Sequence, residues 1–140
     1  MNNEKLSENF DLEEFTRSDK AKELGITNEP GEKELAALRM LVSRTIQPLR
    51  DKLGVPIHVN SGYRCPELNK AVGGVPTSQH QKGEAADLSV DGKAADILEA
   101  LENSNIPFDQ AILYRKQNFL HVSLKLDGVQ RSNVIIKDMR

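Results

Sequence analysis

Two imidazoles and one carboxylate stand at a spacing that could hold a metal ion. His80 and Asp87 fall within Ser78-Gln79-His80-Gln81-Lys82-Gly83-Glu84-Ala85-Ala86-Asp87, and His121 follows in Phe119-Leu120-His121-Val122-Ser123. Zinc takes nitrogen and oxygen ligands of these types. Three protein ligands, with a fourth position left to water, is the usual layout of a hydrolytic zinc site. Gly83 can adopt a backbone angle that other residues avoid, so a loop can hold His80 while the following strand carries Asp87. Side chains alternate along a strand, so Asp87 can face a cleft while Leu88 enters the core. His121 alternates in the same way with Leu120 and Val122. Neighbouring strands lie about 4.8 Å apart, close enough for the two residues to share one ion. Each residue alone has an ordinary alternative: His80 as an exposed loop residue, Asp87 as a turn cap, His121 as a hydrogen-bonded core histidine.

The elements that must position these residues can be read from the apolar pattern. Phe10 to Phe15 reads as a short capped turn with Asp11 as N-cap, and Ser18 caps a second short helix, Asp19 to Leu24, that Gly25 ends. Asn28-Glu29-Pro30-Gly31 is a turn. A long helix is predicted from Glu32 to Leu53. Its buried stripe is Leu35, Leu38, Leu41, Val42, Thr45, Ile46, Leu49 and Leu53, with Pro48 expected to kink or break it. Val55 to Val59 reads as a strand, and His58 on its other face is left out of the site. Pro66 starts a short helix. Ala85 to Val90 is a strand, Lys93 to Glu102 a helix, and Asp109 to Tyr114 and Phe119 to Leu126 a strand pair around Arg115-Lys116-Gln117-Asn118. Val134 to Ile136 can add an edge strand. Helices first and strands later predict an α+β fold, an antiparallel sheet with helices packed on it.

The 140 residues are expected to form one domain, 1–140, long enough to bury a core unaided. A net charge of −2 with interspersed signs gives no electrostatic footprint for nucleic acid. Cys65 is the single cysteine, which excludes an internal disulfide and a cysteine-rich zinc site. The polar start lacks the apolar core of a secretory signal, and no apolar run reaches the roughly 18 residues a membrane helix needs. The expectation is a chain made in the cytoplasm, with no membrane partner, that reaches any outside target by lysis or non-classical export.

Several separate motifs carry a family resemblance. They are Ser61-Gly62-Tyr63-Arg64, Asn69, Val72-Gly73-Gly74, Ser78-x-His80-x-x-Gly83-x-Ala85-x-Asp87 and Leu120-His121-Val122-Ser123. Together they resemble the M15 zinc peptidases, the D-Ala-D-Ala carboxypeptidases and endopeptidases of hedgehog/DD-peptidase fold. Asn9-Phe10-x-Leu12-x-Glu14-Phe15, Ser18, Asn28 and Gln47-Pro48-Leu49-Arg50 are similar to the short single-domain branch found in prophages. The resemblance spans Asn9 to Leu124.

It implies a zinc ion on His80, Asp87 and His121, a peptidoglycan peptide as substrate, and a chain that works as a monomer. It also implies that Arg64 points into the cleft, where an always-charged guanidinium steadies the substrate carbonyl or carboxylate. Ser78 is implied to bond substrate or to orient the His80 loop. One departure stands out. Many relatives carry a glutamate general base three residues before the last histidine ligand, and here that position is Asn118. Other short relatives place it at the end of the preceding strand, and here that residue is Tyr114. The second reading is therefore a non-catalytic zinc-binding module for cell-wall recognition that has lost its base.

Overall fold

The computed structural model describes residues 3–140. The chain opens with β1 (Lys5–Ser7) and β2 (Phe10–Asp11), an antiparallel pair, and turns into α1 (Leu12–Thr16). Asp11 accepts from the Glu14 backbone while the Glu14 side chain accepts from the Asp11 backbone, a reciprocal capping box. Ser18 caps α2 (Asp19–Leu24), and Gly25 ends it in the left-handed conformation.

The long apolar stripe folds as one rod in three parts: α3 (Glu32–Leu41), a π-helical turn (Val42–Ile46) and α4 (Gln47–Leu53). Pro48 supplies no N–H and crowds the carbonyl four residues back. The rod widens just before it, with the Gln47 N–H reaching back to Val42 O, so the helix continues through the expected break. Leu38, Leu41, Val42, Ile46 and Leu49 are completely buried along it.

There follow β3 (His58–Ser61), α5 (Pro66–Ala71), β4 (Ala85–Ser89), α6 (Ala95–Glu102), β5 (Gln110–Tyr114), β6 (Phe119–Ser123) and β7 (Asn133–Lys137). β3 starts later than Val55 because Pro56 has no N–H to give a ladder. His58 is half exposed and pairs with Asp91 at 3.0 Å, away from the candidate ligands.

The described strands build a sheet of order β3-β4-β6-β5-β7. The fold is α+β, but the expectation of an antiparallel sheet needs correction: β7 runs parallel to β5, and the sheet is mixed. The cause is local. Buried Asp109, just before β5, accepts from the backbone and side chain of Arg131, and its carbonyl accepts from Asn133 N. Those bonds seat the start of β7 beside the start of β5, so both strands run the same way.

One face of the sheet carries Ala86, Leu88, Ala111, Leu113, Leu120 and Val122, all buried in a core shared with the rod and with Ile97, Leu98 and Leu101 of α6. The alternate residues face the other way. No helix among the described residues is long and apolar enough to cross a membrane.

Candidate metal centre

Strand register brings the candidate ligands together on the face turned from the core. Asp87 of β4 pairs with His121 of β6, and His121 pairs with Ile112 of β5, forming one row across the sheet. Gln110, Ile112 and Tyr114 of β5 alternate along the same face and, with His121, line a cleft of about 500 Å³.

His80 reaches the row from a loop. Ser78 Oγ accepts from His80 N at 3.2 Å and caps a 3₁₀ turn (Gln79–Lys82). Gly83 ends the turn at φ 73, and a Cβ there would lie 2.2 Å from Glu34 O. Only glycine allows both the angle and the approach to α3. His80 O accepts from Arg64 N at 3.0 Å, which ties the His80 loop to the Arg64 loop.

The donor atoms meet closely. His80 Nδ1 lies 2.7 Å from Gly62 O. A carbonyl only accepts, so Nδ1 carries the proton and Nε2 presents a lone pair. That Nε2 is the one buried side-chain polar atom without a hydrogen-bond partner among the described residues. It faces Asp87 Oδ1 at 3.3 Å, and His121 Nδ1 lies 3.0 Å from the same oxygen. A lone pair aimed at a carboxylate oxygen is repulsive unless a cation or proton intervenes. One ligand atom from each of the three residues lies within 4.8 Å of the others, a set that could hold a metal ion. Two imidazole nitrogens and one carboxylate oxygen suit zinc.

The charge states suit it too. Burial pushes His80 below the ordinary histidine value, against the pull of Asp87 toward the charged form. Burial would raise the Asp87 carboxyl, but the hydrogen-bonded imidazole of His121 outweighs it and holds it well below the usual carboxylate range. A neutral imidazole and an ionised carboxylate are the forms that ligate.

Arg64 is buried, donates from Nη1 to Asn69 Oδ1 at 3.0 Å and lines the cleft. Asn69 in turn donates to Val75 O. A Cβ at Gly74 would lie 2.1 Å from Asn69 Oδ1 and 2.8 Å from Arg64 Nη1, so this glycine makes room for the pair. Buried Asn28 holds the same loop, donating to Thr16 O and Tyr63 O and accepting from Cys65 N. Ser78 lines the cleft and caps the His80 turn at once.

The base positions have other occupations. Asn118 sits at φ 57, accepts from Ala94 N at 2.8 Å and donates to Gly92 O at 2.7 Å, fixing the entry to α6. Tyr114 faces the cleft, stacked on Phe119 with ring centres 4.7 Å apart. Glu84 accepts from Gln79 and Leu126, and Asp109 is paired with Arg131.

Two cleft residues have no signal in sequence spacing. Arg131 and Arg140 arrive through the loop before β7 and the segment after it. Their places depend on the parallel pairing of β7, which no local pattern announces.

The fold and site together define an α+β protein with a His-Asp-His cluster in a cleft, His80 and Asp87 buried and His121 partly exposed. A family model for Peptidase M15 matches residues 8–123, and the chain belongs to this peptidase family. No curated protein matches the chain.

Proposed function

We propose that the protein is a zinc metallopeptidase that hydrolyses peptide bonds in peptidoglycan stem peptides, as a D,D-carboxypeptidase or an endopeptidase. The observation that carries this reading is the convergence of His80, Asp87 and His121 about the unpartnered His80 Nε2, in a chain of the M15 family. His80 Nε2, Asp87 Oδ1 and His121 Nδ1 would hold the ion. When bound, zinc supplies a Lewis acid that polarises a carbonyl oxygen and acidifies a water.

The chain's own residues do the rest. Gly62 O fixes the His80 tautomer and ring plane, as an outer partner of a ligating histidine does. Arg64, pinned by Asn69, offers its remaining donors to a substrate carbonyl or carboxylate. Ser78 holds the His80 turn and presents its hydroxyl to the same cleft. The protein is proposed to act as a monomer and to meet the wall after lysis or non-classical export.

A specific observation favours the second reading, a non-catalytic zinc-binding module for the cell wall. Asn118 is committed to Gly92 and Ala94, and among the described residues no carboxylate lines the main cleft beside His121. A missing general base typically costs about 10²–10⁴-fold in rate. Digestion of purified muropeptides by zinc-loaded protein, with His80→Ala as control, separates the two. New amine termini above the control support the peptidase; their absence with zinc bound supports the module. Protein with these three residues intact that takes up no zinc sinks both.

A further inference from the structure

Asp87 turns its two carboxylate oxygens to different partners. Oδ1 faces both imidazoles, with His80 Nε2 at 3.3 Å and His121 Nδ1 at 3.0 Å. Oδ2 accepts from Arg140 Nη2 at 3.3 Å. Among the described residues, Arg140 is the one lysine or arginine paired with this buried carboxylate. Arg64 and Arg131, which also line the cleft, are engaged elsewhere, on Asn69 and Asp109.

Arg140 is brought to Asp87 by a strap. It follows β7, and it lies beyond the residues 8–123 matched by the family model. The strap is anchored on the turn between β5 and β6. Arg115 N donates to Lys137 O at 3.0 Å, Lys116 N to Asp138 O at 2.7 Å, and Arg140 N to Gln117 Oε1 at 2.7 Å. The Arg140 guanidinium carbon then lies 5.3 Å from the Tyr114 ring centre and 5.0 Å from that of Phe119. A cation over these stacked rings is held in place while its N–H edge stays available.

The consequence for the candidate ligand set is chemical. A carboxylate can offer a metal one oxygen or two. Three single-atom ligands leave zinc a fourth position for water or substrate, the open position that hydrolysis needs. A second oxygen from Asp87 would fill it. A charge-assisted hydrogen bond on Oδ2 leaves Oδ1 alone turned to the imidazoles. Gly62 O does the corresponding task for His80, fixing which nitrogen is presented.

We propose that Arg140 is a positioning residue for Asp87: by holding Oδ2 it makes the carboxylate a one-oxygen ligand and keeps the fourth metal position open. The inference rests on the metal site of the peptidase reading and adds to it a residue from outside the family match.

Cobalt(II) in place of zinc tests this, because its visible absorption weakens as ligands are added beyond four. The unsubstituted protein is expected to show the intense bands of four-coordinate cobalt. Arg140→Met keeps an apolar stem against Tyr114 and Phe119 and removes every donor. Its cobalt form should lose visible absorbance per bound ion, as Oδ2 joins the ligand set, and its zinc form should cleave muropeptides about 10–100-fold more slowly. Arg140→Lys, which keeps a cation and donors over the same rings, should regain part of the absorbance. Bound cobalt with an unaltered spectrum in Arg140→Met overturns the proposal alone; slower cleavage with that unaltered spectrum would mean that Arg140 meets substrate instead. Equal loss of absorbance in both variants also overturns it, since charge at this place would then not matter. Unsubstituted protein that takes up neither zinc nor cobalt overturns the metal reading and the proposal with it.

Discussion

His80 is held by its backbone and one ring nitrogen so that the other nitrogen has no protein partner. A buried polar atom left this way costs about 1–3 kcal/mol, so the fold bears a cost that an ion would relieve. His80→Ala should remove a ligand and lower zinc affinity by more than the roughly 10–100-fold typical of losing an outer partner. Competition against a chromophoric chelator measures it, and an unchanged affinity would exclude His80 as a ligand. Gly74 is a subtler test. A methyl group there must displace Asn69 or Arg64, because both would be overlapped. Gly74→Ala is expected to leave zinc affinity within about twofold, since the added methyl overlaps none of the three ligands, while muropeptide cleavage falls about tenfold or more as Arg64 is misplaced. Loss of zinc together with cleavage would show that the glycine serves the fold as a whole instead.

At the scale of elements, alternation along strands was the most legible signal. Asp87 beside Leu88 and His121 between Leu120 and Val122 announced which side chains leave the core, and their register then put them opposite one another. The helical stripe was legible too, because Leu38, Leu41, Ile46 and Leu49 repeat at helical spacing. The response to Pro48 was not. Whether a proline breaks a helix or widens it depends on what packs on either side, and here packing keeps the rod whole. The direction of β7 was equally hidden, since it follows from bonds between Asp109 and residues more than twenty positions away. Asn118 shows how position in a motif can mislead: its side chain is used to start α6. Asn118→Ala should cost about 1–2 kcal/mol, as for loss of a helix cap, and leave zinc binding intact. Asn118→Glu should suffer a similar loss in a denaturant titration without gaining activity. A rise in cleavage by Asn118→Glu would mean that this position does reach the substrate.

For the whole molecule, the charges that shape the site also set its response to acid. His80 is pushed below its ordinary value of 6.5 by burial, so the unfolded chain takes up this proton before the folded one does. Stability from this group is complete above about pH 6.5 and declines as pH falls below it, with a slope of at most about 1.4 kcal/mol per pH unit. Asp87 and Asp109 form a second stage. In both, burial is outweighed by a hydrogen-bonded partner, the His121 imidazole for Asp87 and Arg131 for Asp109, and both lie below their ordinary 3.8. Their contribution is present above about pH 3.8 and is lost progressively below it. Guanidinium midpoints of metal-free protein from pH 8 to 3 should therefore fall in two stages. His80→Ala should abolish the first, and Asp109→Asn should weaken the second while lowering stability throughout, because Arg131 loses its partner. Zinc at about a hundred times its dissociation constant should add about 2.7 kcal/mol at neutral pH. That increment should vanish on acidification as protons displace the ion from the histidines. A single-stage profile unchanged by His80→Ala would show that the imidazole titrates alike in folded and unfolded chains, and would count against its burial as the neutral ligand form.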